Sequence, residues 1–323
     1  MKIFDERQIR KFVHVNPKAI EIVEEGFTAL ARGNVTLPPI MSMDIPEHHG
    51  EIDVKTAYIK GLDTFAVKIS SGFFNNQSLG LPSLSGMMLL LCSKTGLAEA
   101  ILLDNGYLTD IRTAAAGAVA ADYLAKEQVK SVGVIGTGTQ ARYQMEALLQ
   151  VRDFDVIYVY GRKRESAEKY AAEIREKLEK NVIIAESVEE VIRMSEIVVT
   201  TTSATEPFIK EEWLHPGLHI TAMGSDTEHK QELDAKVFQK ADVIVCDVQS
   251  QCFRLGELHH AIAQGIVTPM DPRLIELGEL TSGMKKCRRN DKQITICDLT
   301  GTGVQDTVIA RFAYAQLQET TNL

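Results

Sequence analysis

The sequence predicts an α/β protein that joins a parallel sheet flanked by helices to a smaller antiparallel α+β region. Two observations carry this reading. From Lys130 onward, strand-like runs alternate with helical stretches, and that spacing argues for a parallel sheet with helices on both faces. Over residues 52–110 the period differs: short β-rich runs follow one another across glycine-containing turns, as antiparallel hairpins do.

Each element follows from local chemistry. Asn16-Pro17 reads as an N-cap with proline at the first helical position; Ile20, Val23, Phe27 and Leu30 then share one face, and Gly33 ends the helix. "TAYIKG", "TFAVKIS", "MMLLLCSKTG" and "LAEAILLD" are the hairpin strands, and "LTDIRTAAAGAVAADYLAK" is a helix whose small residues allow close packing. The later strands are "KSVGVIG", "DVIYVYG", "NVIIAES", "EIVVTTTS", "LHITAMG", "DVIVCD" and "QITICDL". Helices are expected over "TQARYQMEALLQ" and "RESAEKYAAEIREKLEK", and a last one over "VQDTVIARFAYAQLQ" returns toward the N-terminal part.

Bulk properties exclude several classes. The 323 residues suit two domains, and 45% hydrophobic with 24% charged residues is globular composition. A net charge of −9 without a basic block argues against nucleic acid or an anionic membrane as partner. No apolar run approaches the roughly 18 residues of a membrane span, and the start "MKIFDERQIRKF" lacks a signal-peptide core. Cysteines 92, 246, 252, 287 and 297 are odd in number and have no CxxC spacing, which points to reduced thiols in a cytoplasmic protein.

The most informative stretch is "VGVIGTGTQARYQ", which sets Gly136, Gly138 and Ala141 in a GxGxxA pattern between strand and helix. The first glycine permits the turn, the second admits a pyrophosphate, and the small third residue lets helix and strand pack. An acid about 20 residues on would select NAD; the next strand instead ends "VYGRKRES", with Arg162, Lys163 and Arg164 suited to a 2′-phosphate. NADPH is therefore favoured over NAD(H), against the plainer reading of a solvated basic turn.

Ligands of open parallel sheets sit beyond the carboxyl ends of the strands. Asp226, Thr201-Thr202-Ser203 and Asp298-Leu299-Thr300-Gly301 follow such ends and should line the cofactor cleft. Asp226 is placed to exchange a proton with an amine or imine, or else to N-cap a following helix. Lys68 alternates with Val67 and Ile69, the pattern of an edge-strand gatekeeper. Arg112 opens a helix, where a cation is disfavoured, so it should have an anionic partner: a substrate carboxylate or an ordinary salt bridge. Glu257, His259 and His260 lack metal-ligand spacing, and no metal site is expected.

With "LTDIRTAAAGAVAA", "VGVIGTGTQARYQ", "AMGSDTEHKQELD" and "DLTGTGVQD" in this order, the chain resembles the ornithine cyclodeaminase/mu-crystallin family over nearly its whole length. It is most similar to the ectoine-utilisation subgroup, through "GSDTEHK", "RLGELHHAI" and "ITICDLTGTGVQD". The resemblance implies a homodimer with a substrate and dimerisation domain, 1–113 with 304–323, and a Rossmann domain, 114–303. It implies Lys68 and Arg112 as the substrate-carboxylate clamp, Lys68 also as proton donor, and Asp226 at the substrate nitrogen. Gly136, Gly138, Thr139 and Gln140 would hold the pyrophosphate, and Arg162 with Lys163 the 2′-phosphate. Many relatives add an arginine after the prolines of the N-terminal segment; "LPPIMSMDIPE" has none, which argues against ornithine as the substrate.

The leading expectation is an NADPH-dependent reductase of an amino-acid-derived imine, in ectoine or hydroxyectoine breakdown. The alternatives are an ornithine cyclodeaminase, which a tightly held catalytic NAD would favour, and a non-catalytic ligand-binding protein, which intact Lys68, Arg112 and Asp226 argue against.

Overall fold

A computed structural model describes residues 1–286 and 288–321. Cys287, Asn322 and Leu323 lie outside the described residues, and so does the expectation of a reduced thiol at 287. The chain divides into two compact units: Met1–Thr113 with Thr302–Leu323, and Ala114–Gly301. Among the described residues no helix is long and apolar enough to cross a membrane. Cys92, Cys246, Cys252 and Cys297 carry free thiols.

The first unit is built on a mixed sheet. Its strands are β1 (Lys2–Asp5), β2 (Val35–Thr36), β3 (Met41–Ile45), β4 (Gly50–Ile59), β5 (Thr64–Phe73), β6 (Leu84–Cys92) and β7 (Ala98–Leu103). The order is β1-β7-β6-β5-β4-β2, with β3 also pairing β4. Strands β4 to β7 form the expected antiparallel hairpins. Strand β1 was not anticipated: "KIFD" pairs parallel with β7, with Phe4 buried between exposed neighbours. Helix α1 (Glu6–Ile9) follows at once through a capping box of Asp5 and Gln8. In α2 (Pro17–Ala31) the Asn16 side chain accepts the Ala19 amide, Pro17 opens the helix, and Ile20, Val23 and Phe27 are buried. The C-terminal helix, Gly303–Thr321, packs on α2, β4 and β5, as expected.

Strands β4 and β5 alternate cleanly. Lys55, Ala57 and Ile59 of β4, with Thr64, Ala66 and Lys68 of β5, form the buried face. Helix α3 (Tyr107–Leu124) begins after β7. The Asp104 carboxylate accepts the Leu108 amide in its first turn.

The second unit is an eight-stranded, all-parallel sheet in the order β10-β9-β8-β11-β12-β15-β13-β14. Its strands are β8 (Ser131–Ile135), β9 (Val156–Tyr160), β10 (Asn181–Ile184), β11 (Ile197–Thr200), β12 (His219–Ala222), β13 (Val243–Cys246), β14 (Leu274–Glu276) and β15 (Thr295–Asp298). Only β14 escapes the sequence pattern; three residues are too few to show a period. Helices α4 (Thr139–Leu148), α5 (Arg164–Leu178) and α6 (Val188–Met194) connect the first four strands. Shorter helices follow: α7 (Val237–Lys240), α8 (Gln249–Cys252), α9 (Gly256–Ala263) and α10 (Leu277–Thr281).

Both sheet faces are covered, as a parallel sheet requires. Ile197 and Val199 of β11 join one apolar cluster with residues of α4 and α5, while Val198 joins another with residues of α6 and α9. The chain runs outward from β8 through β9 to β10, then returns to β11 on the other side of β8. That reversal is the switch point of a Rossmann-type sheet, where dinucleotides bind.

Candidate active site

The first group of candidate residues lies in the first unit. Lys68 sits on β5, between β4 and β6, and its side chain is 2% exposed. The edge-strand gatekeeper reading is thereby corrected: Lys68 is on an interior strand and faces inward. Its Nζ lies 3.2 Å from Asp306 Oδ2, and Arg112 Nε lies 3.0 Å from Asp306 Oδ1. Lys68 and Arg112 are thus brought together by a carboxylate of the C-terminal helix. The salt-bridge reading of Arg112 holds, with a partner that sequence reasoning missed. Asp306 stands in "DLTGTGVQD", and its signal was an acid in the first turn of a helix that packs on β5.

The ionisation of this group follows from burial. Burial pushes the Lys68 ammonium down; Asp306 opposes the shift, while the charges of Arg112 and Lys55 add to it, leaving a pKa of about 7. For Asp306 burial pushes the carboxyl up, but Lys68, Arg112 and Lys55 outweigh it and hold the group below its ordinary value. Asp104, also buried, is pushed up to about 7, chiefly by burial. Arg112 Nε and both Asp306 oxygens lack an aligned hydrogen-bond partner despite their close approach. A lysine that titrates near neutrality beside an arginine can bind an anion and exchange a proton.

The second group lies at the carboxyl ends of the strands of the parallel sheet. Gly136 has φ +116°, and a Cβ there would meet Thr201 Oγ1 at 2.4 Å, so only glycine fits the turn. Gly138 faces open space, with nothing within 4 Å of an added Cβ. It is the N-cap of α4, no side chain caps that helix, and Thr139 and Gln140 form its first turn. An uncapped helix start behind an open glycine fits a dinucleotide pyrophosphate. Ala141 is fully buried, as helix–strand packing requires. Arg162 and Lys163 are exposed beside Gly161, which abuts Thr137 of the glycine turn. Arg164 is instead paired with Glu168 and Glu186.

Asp226 lies in the loop after β12, 43% exposed, with Oδ1 2.6 Å from Lys230 Nζ. No helix begins behind it, the next being α7 at Val237, so the N-cap alternative is excluded. Around this loop runs a frame of buried acids, among them Asp298, which was expected to line the cofactor cleft and is instead fully buried. Glu232 accepts bonds from the Thr200 hydroxyl, the Thr202 amide and hydroxyl, and the Gly224 amide. Glu257 accepts the amides of Glu232 and Leu233. Asp298 accepts the Leu258 amide, and Asp247 those of Thr300 and Gly301. The polar atoms of Thr202 and Gly301 are thus tied to Glu232 and Asp247, while Ser203 is exposed.

Comparison with known proteins places this arrangement. A putative dehydrogenase of Rhizobium meliloti is 50% identical over 316 residues, covering 98% of this chain and 95% of the relative. The structure of Thermococcus litoralis Δ1-pyrroline-2-carboxylate reductase in complex with NADH and L-proline superposes with a TM-score of 0.93 at 30% identity, covering 99% and 98%. An archaeal alanine dehydrogenase dimer with bound NAD gives 0.92 at 31%, covering 99% and 96%. Relatives of this chain thus include nicotinamide-dependent oxidoreductases of imines or amino acids. Residues 3–321 match the ornithine cyclodeaminase/mu-crystallin family, and the chain belongs to that family.

Proposed function

We propose that the chain reduces an amino-acid-derived imine, with NADPH as the preferred cofactor. The observation that carries this is Lys68: fully buried, beside Arg112, and ionising at about 7. Lys68 and Arg112 take the substrate carboxylate. Lys68, as the ammonium, gives a proton to the nitrogen, and Asp226 engages that nitrogen. Gly136, Gly138, Thr139 and Gln140 hold the pyrophosphate, Thr202, Ser203 and Gly301 border the nicotinamide, and Arg162 with Lys163 receive the 2′-phosphate. The bound nicotinamide supplies the hydride to the imine carbon. One hydride and one proton convert C=N to CH–NH, giving the amino acid and the oxidised cofactor.

The preference for NADPH departs from the NAD and NADH bound in the two solved relatives. It rests on Arg162 and Lys163, which take part in no ion pair among the described residues. A role in ectoine breakdown rests on the "GSDTEHK" and "RLGELHHAI" signatures, and a cytoplasmic location on the free thiols. The homodimer is supported by the sheet of the first unit. Met41, Val54, Ile69 and Met87 form one cross-strand row, and Met41, Ile69 and Met87 are exposed. Such a row on one sheet face suits a second copy of the chain.

The test is a substrate screen following NADPH and NADH absorbance, with keto acids plus ammonia and with cyclic imines. Imines should consume NADPH with kcat/KM one to two decades above NADH, as one or two partly exposed charge-assisted contacts at about 1.5 kcal/mol each provide. Replacing Arg162 and Lys163 with uncharged residues should remove most of that preference. Rapid, stoichiometric proline and ammonia formation from L-ornithine with NAD would overturn the reading.

A further inference from the structure

Asp104 has no part in the mechanism above, yet the sheet brings it to the same face as Lys68. Lys68 of β5 stands opposite Met88 of β6, and Met88 stands opposite Leu102 of β7. All three are buried, so this cross-strand row lies on the inner face. Asp104 follows Leu102 by two positions, and alternation carries it to that face: it is 1% exposed, between exposed Leu103 and Asn105. The turn behind it rests on β6, where a Cβ added to Gly86 would meet the Gly106 backbone at 3.6 Å.

The two carboxyl oxygens of Asp104 differ. Oδ2 accepts the Leu108 amide at 2.8 Å, in the first turn of α3. Oδ1 is buried and has no partner among the described protein groups. A buried polar atom of that kind is costly, and the few that a native fold keeps call for a reason. Holding the helix start is not that reason, because it uses one oxygen and asparagine would serve as well. What an aspartate adds is a proton. Burial pushes Asp104 up to about 7 against the opposing charge of Lys68, and Lys68 itself is brought to about 7. Groups of matched proton affinity on one buried face exchange a proton at little cost. The other charges that act on Lys68 are Asp306 of the C-terminal helix, Arg112 of α3 and Lys55 of β4. At the outer edge, Glu6 of α1 is tied to Arg10 and to the Asn105 amide.

We propose that Asp104 is the proton reserve of Lys68, acting through the lysine and not on the substrate. This rests on the reductase reading, in which the Lys68 ammonium protonates the imine nitrogen. The neutral amine left behind takes a proton from the Asp104 carboxyl across a bridging water. The Asp104 carboxylate then takes one from solvent at the exposed edge of Leu103 and Asn105. Each turnover thus draws one proton from solvent and delivers one to the nitrogen.

The test compares the full chain with Asp104→Asn, which keeps an acceptor for the Leu108 amide and loses the proton. With imines formed from keto acids and ammonia, kcat should fall at least about tenfold while KM stays within about threefold. Wild-type kcat for reduction should decline as pH rises through about 7, where Lys68 and Asp104 release their protons. In Asp104→Asn no carboxylate forms to steady the ammonium, so the decline should move to lower pH by about half a unit or more. A variant that matches the wild type in kcat, KM and pH profile would show that Asp104 only holds the helix start, and would overturn the proposal. If the wild type reduces no imine, the reductase reading has failed, and infrared titration still decides whether the proton is shared. A carboxyl C=O band should titrate near 7 in the wild type and be missing from Asp104→Asn. In Lys68→Met, which lacks the cation that favours the carboxylate, that band should persist to higher pH. A wild type without such a band, or a midpoint unmoved in Lys68→Met, would also overturn the proposal.

Discussion

The two units bury charge in opposite ways. In the first, cations dominate: Lys55, Lys68 and Arg112 lie inside with Asp104 and Asp306, and Asp306 is the shared partner of Lys68 and Arg112. In the second, acids dominate: Glu232, Asp247, Glu257 and Asp298 lie inside, held mainly by backbone amides and hydroxyls. An amide is fixed by the fold, so each acid of the second unit pins a loop at the carboxyl end of a strand. An ammonium or guanidinium brings its own charge, so the cluster of the first unit remains attractive to an anion after folding. The frame of buried acids is suited to rigidity and the cationic cluster to binding.

The largest expected effect is on turnover. Lys68→Met and Asp226→Asn should each lose roughly two to four decades of kcat, the usual range for a general acid or base. Stability should separate them. Asp226 pairs with Lys230 in a half-exposed loop, an ion pair worth about 1 kcal/mol, so Asp226→Asn should melt near the wild type. Lys68→Met changes the charge around a buried carboxylate and should shift the melting temperature measurably. Wild-type turnover in Asp226→Asn would remove the residue from the chemistry.

A smaller effect tests the acid frame. Glu232→Gln keeps one acceptor oxygen where the carboxylate serves four donors. About two buried donors would be left unpaired at about 1–3 kcal/mol each. At about 2–4 °C per kcal/mol for a domain of this size, the melting temperature should fall by roughly 4–24 °C. A drop below about 2 °C would show that Glu232 already carries a proton, in line with the upward push that burial gives it.

The smallest effect is a pH slope. Burial, joined by the charge of Asp247, holds Asp298 protonated up to about pH 8, whereas an unfolded aspartate releases its proton near pH 3.9. Between those values the folded chain binds the extra proton, so this contribution to stability falls as pH rises, by up to about 1.4 kcal/mol per unit. Lys68 acts with the opposite sign. Its proton is lost at about 7 in the folded chain and near 10.4 when unfolded, so its contribution rises across that window. Asp298→Asn should flatten the fall in melting temperature between pH 5 and 8. An unchanged slope would assign it to other acids of the frame.

Much of this was legible in the sequence because it is local. The Asn16-Pro17 helix start, the hairpins of β4 to β7 and the GxGxxA turn each rest on residues a few positions apart, and periodicity or turn chemistry exposes them. Strands β1, β2, β3 and β14 were missed because two to five residues give little or no period, and a partner strand defines them.

The buried charges belong to the other category. By its pattern Lys68 reads as an edge-strand gatekeeper, and Lys55 draws no notice, until the register sets them side by side and β5 is placed inside the sheet. Asp306 lies more than 190 residues from Arg112 and 238 from Lys68 in the chain, and only the C-terminal helix folding back onto β5 makes it their partner. The same holds for Glu232 and Glu257, whose partners are amides that become neighbours when the loops close. Sequence by itself determined the longer elements, the family and the GxGxxA turn, since these are written in short-range patterns. Tertiary structure alone decided which charges meet, because burial and pairing depend on residues that the chain keeps far apart.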